Sequence, residues 1–81
     1  MTFEHVLVVG AGQMGGGIAQ VVAMSGRRVS LHDPFPGAVE RGLETMRKSL
    51  TRLEADVDAT LARVAPATDL VPADLMIEAI A

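Results

Sequence analysis

An α/β fold around a parallel sheet is predicted by three features of this 81-residue sequence. Val6 to Val9 (VLVV) is a continuous apolar run ending at a glycine, the pattern of a strand buried on both faces. Residues 13–25 then carry apolar side chains at helical spacing. Val29 to His32 (VSLH) reads as a second strand, so the chain opens as a β-α-β unit with a right-handed crossover.

In the first helix, Met14, Ile18, Val21, Val22 and Ser25 fall on one face, and Gly26 sits where a C′ glycine ends a helix. Asp33 stands at the carboxyl end of the second strand; Pro34, Pro36 and Gly37 punctuate the turn after it. From Val39 the apolar residues are Val39, Leu43, Met46, Leu50, Leu53, Val57, Leu61 and Val64, in steps of three and four. This is an amphipathic helical pattern; a bare coiled coil is the alternative, with fewer than four clean heptads to support it. One helix over the whole stretch would span roughly 40 Å, against strands of only ~17–20 Å. A break is therefore expected near Asp56 and Asp58, with Asp56 capping a second helix.

Ala65 to Asp69 (APATD) is a short third strand, and LMIEAI, within Asp74 to Ala81, a buried fourth. The order is β-α-β-α-α-β-β. A link of about five residues is too short to join neighbouring parallel strands. Either the third strand barely forms or the two are not neighbours; the doubly wound order 3-2-1-4, whose first half this chain would supply, places them on opposite sides of the first strand.

Composition narrows the function. A chain this short makes one small domain and buries roughly 60–65% of its unfolded surface. Apolar residues make up 49% of it, so a core is affordable; with two Phe and no Trp or Tyr, that core is aliphatic. The absence of cysteine excludes a disulfide scaffold, a thiolate metal site and a Cys nucleophile. Net charge is −3 with dispersed basic residues, which argues against a nucleic-acid partner. No apolar run is long enough to span a membrane, and MTFEH lacks the basic start of a secretory signal; a cytoplasmic location is the default expectation.

The chemistry concentrates in residues 10–20, GAGQMGGGIAQ, where five of the eight glycines fall. An interior glycine costs a helix about 0.8–1 kcal/mol relative to Ala, so something else favours them. Gly10, Gly12 and Gly15 fit G-x-G-x-x-G, a weak motif alone. Here it follows a strand, opens a helix and precedes an acidic residue, Asp33, by nearly 20 positions. Gly10 would allow the tight turn, Gly12 the approach of a pyrophosphate, and Gly15 close helix–strand packing. The helix N-terminus then faces the anion. Asp33 would accept hydrogen bonds from the adenosine ribose and repel a 2′-phosphate; no Arg or Lys follows it directly, so NAD is favoured over NADP. The alternatives are a turn without ligand, a mononucleotide or FAD site on the same loop, and Asp33 as a mere turn residue. His5 and His32 have no partners at motif spacing and read as surface or strand-edge residues. Gly17 is assigned to close helix packing; Gly16 has no assignable role.

VLVVGAGQMGGGIAQVVAMSG, VSLHDP, ATDL and ADLMIEAIA together resemble the start of the NAD-dependent 3-hydroxyacyl-CoA dehydrogenases, a family of acyl-CoA and lipid metabolism. The resemblance covers nearly the whole chain. It implies a partial Rossmann fold and a dinucleotide-binding domain over residues 1–81, without the substrate domain. It implies a pyrophosphate loop of Gly10, Ala11, Gly12, Gln13, Met14 and Gly15, with Asp33 on the ribose and Ala79 beside the cofactor. Ser49 falls where the family has a serine touching CoA. Where the family carries a basic residue one or two helical turns later, this chain has Asp56. The family's catalytic His-Glu pair lies beyond Ala81, so the 81 residues alone are expected to be inactive. A non-catalytic nucleotide-binding module and a truncated remnant are the other readings. LMIEAI would form an open apolar edge, which invites pairing between chains, so a homo-oligomer is expected.

Overall fold

In the computed structural model, residues 3–80 are described; Met1, Thr2 and Ala81, which belong to the MTFEH and ADLMIEAIA segments and to the 1–81 domain, lie outside them. Four parallel strands, β1 (His5–Val9), β2 (Arg28–His32), β3 (Val64–Pro66) and β4 (Leu75–Glu78), form one sheet in the order β3-β2-β1-β4. This is the expected 3-2-1-4 arrangement. Val6 pairs with Val29 and Leu75, and Val29 with Val64, so valine and leucine side chains stack in rows across the sheet. Three helices, α1 (Gln13–Met24), α2 (Ala38–Arg52) and α3 (Val57–Leu61), share one aliphatic core with Val6, Val8, Val29, Leu31 and Val64. Met46 and Leu50 of α2 are fully closed off in it; each such side chain contributes roughly 1.5–3 kcal/mol by leaving water.

The long amphipathic stretch breaks where its length requires. Helix α2 ends with Glu54 at φ 57°, and the N–H of Ala55 returns to the Leu50 carbonyl at 3.0 Å, closing the helix in a Schellman turn. Asp56 then caps α3, its Oδ1 accepting from the Ala59 N–H at 3.1 Å. Leu53 stays 59% exposed at this corner, and Val64 has already left the helical pattern to enter β3. The link from β3 to β4, residues 67–74, crosses the sheet diagonally. Three strand spacings and a strand length amount to about 20 Å, within the ~26–29 Å that eight extended residues reach. Its ends are tied down: the Ala67 N–H donates to the Leu31 carbonyl and the Asp74 N–H to the His5 carbonyl, each at 2.9 Å.

Three expectations need correction. The buried face of α1 is Gly15, Ala19 and Ala23, while Met14 and Val21 are 61% and 67% exposed. Small residues win the sheet-facing stripe because α1 lies too close to β1 and β2 for larger ones. Strand β3 begins at Val64, ahead of the APATD segment. Strand β4 takes the expected edge position but is not the buried strand its composition suggests: Leu75 and Met76 are 39% and 53% exposed.

The glycines of the helix start separate by what surrounds them. A side chain at Gly15 would overlap the Gly10 carbonyl oxygen, whereas a Cβ at Gly16 meets only the Ala11 carbonyl at an ordinary 3.6 Å. Gly17 has open space around it, which overturns its assignment to close packing. Gly15→Ala should therefore lower the urea midpoint markedly, while Gly16→Ala should raise stability by up to about 1 kcal/mol through helix propensity. A midpoint for Gly15→Ala equal to that of the unaltered chain would contradict the close approach.

Candidate functional site

The β1–α1 turn starts with Gly10 at φ 108°, a left-handed conformation that L side chains rarely adopt. A Cβ there would also press to 3.0 Å on the Ala79 carbonyl group. Gly10 and Ala79 thus bring the ends of β1 and β4 together, and the Ala79 N–H extends the sheet to the Val9 carbonyl at 2.8 Å. Gly12 is the N-cap of α1. It supplies no side-chain cap, and the first turn carries no acidic residue. The N–H groups of that turn therefore point outward without side-chain acceptors, beside a Gly12 Cα with nothing within 4 Å of its open face. An anion can approach this backbone closely, where the helix dipole favours it.

Asp33 closes the site from β2. Its Oδ2 accepts the Ala11 N–H at 2.8 Å, and its Oδ1 accepts the Phe35 N–H at 2.9 Å. One carboxylate therefore holds both the glycine turn and the turn after β2. Each oxygen keeps a second lone pair for a ligand hydroxyl. The Ala11 N–H, then the Phe35 N–H, hold the carboxyl below its ordinary value, with smaller help from His32 and Arg41.

Gly10, Gly12, Gln13, Met14, Asp33 and Ala79 all line one cleft of about 520 Å³. Two site residues stand back from it: Ala11 is buried behind the loop, and Gly15 lies beneath the helix start. Ser49 lies apart, in a second cleft of about 620 Å³ between α1 and α2 that shares Gly12, Gln13, Asp33 and Phe35 with the first. Ser49 Oγ is 3.0 Å from Gln20 Nε2, which donates to it. Its own hydroxyl proton is left to donate elsewhere.

Sequence reasoning missed three contributors. Gly42 lets α2 lie against the loop: a Cβ there would come within 2.8 Å of the Ala11 carbonyl oxygen. Phe35, 66% exposed, lines both clefts. Arg41 comes back beside Asp33 from the first turn of α2. A basic residue eight positions after the acidic one, beyond a left-handed Gly37, was the available signal. Both histidines have structural partners. His5 Nε2 pairs with Ser30 Oγ at 2.7 Å, and His32 Nδ1 donates to the Ala67 carbonyl at 2.9 Å. Among the described residues no group of His, Cys, Asp or Glu is placed to hold a metal, and no helix is long and apolar enough to cross a membrane.

Asp74 repeats the Asp33 arrangement at the other end of the sheet. Its Oδ2 accepts the N–H groups of Glu4 and His5, which lower its pKa in the same way. Both carboxyls are depressed on folding, so their stabilisation is complete above the ordinary value of 3.8 and is lost as pH falls through the lower folded values. Urea midpoints measured from roughly pH 5 to pH 2 should fall, and the fall should be shallower in the Asp33→Asn, Asp74→Asn double variant. An equally steep fall in that variant would remove these two groups as the cause.

Residues 5–81 match the family described as 3-hydroxyacyl-CoA dehydrogenase, NAD binding domain. The chain is 38% identical over 91 residues to a probable 3-hydroxybutyryl-CoA dehydrogenase of Bacillus subtilis, covering 100% of this chain and 32% of that protein. It is 45% identical over 82 residues to a probable 3-hydroxybutyryl-CoA dehydrogenase of Deinococcus radiodurans, covering 90% of this chain and 30% of that one. The crystal structure of (S)-3-hydroxybutyryl-CoA dehydrogenase from Ralstonia eutropha superimposes with a TM-score of 0.90 at 39% identity, over 99% of this chain and 32% of the other. The chain thus spans about a third of the length of the relatives it matches. With its strand order, its glycine turn and this match over nearly every residue, it belongs to the NAD-binding domain family of the 3-hydroxyacyl-CoA dehydrogenases.

Proposed function

We propose that these residues form the adenosine–pyrophosphate half of the NAD site of a 3-hydroxyacyl-CoA dehydrogenase. The observation that carries this reading is the uncapped start of α1, opening onto a cleft across which the Asp33 carboxylate stands. Gly10, Ala11, Gly12, Gln13, Met14 and Gly15 shape the loop, and the outward N–H groups of the helix start bind the pyrophosphate. Asp33 takes the ribose hydroxyls on its remaining lone pairs, and Ala79 walls the cleft. Bound there, NAD would supply the hydride acceptor for oxidation of a 3-hydroxyacyl-CoA. Ser49, whose proton is free to donate once Gln20 has filled one lone pair, is the CoA contact.

Gly12→Val tests the binding half. Its Cβ meets nothing in the protein, so the urea midpoint should hold while NAD affinity by calorimetry falls roughly tenfold or more, a loss of about 1.4 kcal/mol. Unchanged NAD binding in Gly12→Val, or none by the unaltered chain, would sink the proposal.

On this reading the described residues supply binding and orientation, and neither histidine is the proton acceptor for the substrate hydroxyl. Both histidines are engaged within the sheet and its β3–β4 link. The 81 residues alone should leave NADH unoxidised in the presence of acetoacetyl-CoA; measurable NADH loss would show that a base has been overlooked.

We further propose that the chain self-associates through β4, whose outer edge is unpaired among the described residues and carries the exposed Leu75 and Met76, with exposed Ile80 just beyond it. Light scattering should give the mass of a dimer or larger species; a sharp monomer would refute this.

A further inference from the structure

We infer that Arg41 is a second determinant of cofactor selectivity, a cation beside Asp33 that partly offsets the exclusion of a 2′-phosphate. The inference rests on the reading of Asp33 as the ribose contact. Arg41 lines the second cleft where Asp33 and Phe35 join it to the first, and among the described residues it is the one cation lining either cleft. It has no acidic partner within salt-bridge distance; the one ion pair among the described residues joins Arg47 to Asp58.

Local backbone geometry puts it there. Gly37, at φ 78°, turns the chain left-handed into α2. A Cβ on Gly37 would lie 2.8 Å from Arg41 Nη1, so the guanidinium folds back over the bare glycine toward the β2 end of the site.

The two charges have opposite effects on a ribose 2′ substituent. A hydroxyl can donate to the Asp33 carboxylate. A 2′-phosphate, carrying about −1.5 to −2 charges, is repelled by that carboxylate but matches the planar donor fork of an arginine. Selectivity for NAD is then the difference between a repulsion from Asp33 and an attraction to Arg41. Removing the arginine sharpens it and removing the aspartate reverses it.

Fluorescence titration of the full 81-residue chain with NADH and NADPH tests this. Arg41→Ala, an exposed helix position, should weaken NADPH about two- to fivefold, the range of an exposed ion pair. NADH should stay within about twofold. NADPH binding should also lose its steeper dependence on salt. Asp33→Ser should tighten NADPH roughly tenfold by removing a like charge at close range. The Asp33→Ser, Arg41→Ala double variant should lose that gain.

Equal effects of Arg41→Ala on both cofactors, or no effect on either, overturn the assignment of Arg41. So does a gain for NADPH that persists in the double variant. Asp33→Ser with an unchanged NADH-to-NADPH ratio overturns the ribose reading beneath it. If Asp33→Ser fails to fold, because it releases the Ala11 and Phe35 N–H groups, the Arg41→Ala comparison still decides.

Discussion

The Gly10 carbonyl and the Gly15 Cα approach so closely that no side chain fits between them, and the layout of the site follows from that contact. It sets the start of α1 directly on the end of β1. It brings the small stripe of Gly15, Ala19 and Ala23 onto the sheet. It also aims the free N–H groups of the helix start at the cleft beyond the strand ends. Helix stability is given up here in exchange for geometry. The helix has no cap and three glycines in its first turn and a half, and its order comes from packing against β1 and β2.

Asp33 is the complement of that contact. It sits at the end of the neighbouring strand and reaches back to the Ala11 N–H. The loop is thus held by a strand on each side before any ligand arrives. Such preorganisation lowers the ordering cost of binding. The structural duty of the carboxylate leaves room for the ligand-facing one proposed for it: each oxygen serves one backbone N–H and retains a lone pair.

The two clefts meet at Gly12, Gln13, Asp33 and Phe35 but differ in character. The first is walled by strand ends and the glycine turn, suited to an extended dinucleotide. The second runs between α1 and α2, over Gly16 and Gly17 toward the Gln20–Ser49 pair. Those two glycines keep it open, which accounts for them better than packing does. Gly42 has the opposite job: it lets α2 press against the Ala11 carbonyl and fixes the depth of this second cleft.

Much of this was present in local patterns. Apolar runs marked β1 and β2, the three-four spacing marked α2 and α3, and the mismatch between helix and strand length located the break that Asp56 caps. The glycine triplet and Asp33 named the site because their conformational needs are local: a left-handed turn, a bare Cα, an acid at a strand end. The strand order came from the doubly wound pattern, and the short β3–β4 link fits it because the two strands are not neighbours. What the tertiary structure alone decided was which faces are covered and which distant groups meet. Of the apolar face of α1 read from spacing, Ile18 and Val22 flank the core but Met14 and Val21 are exposed, because a close helix–sheet approach selects for small residues over large ones. The strand order places LMIEAI at the edge, but its composition reads as buried, and only the structure shows Leu75, Met76 and Ile80 exposed there. Arg41 comes to line a cleft with Asp33 beyond the left-handed turn at Gly37, a path that spacing along the chain does not reveal.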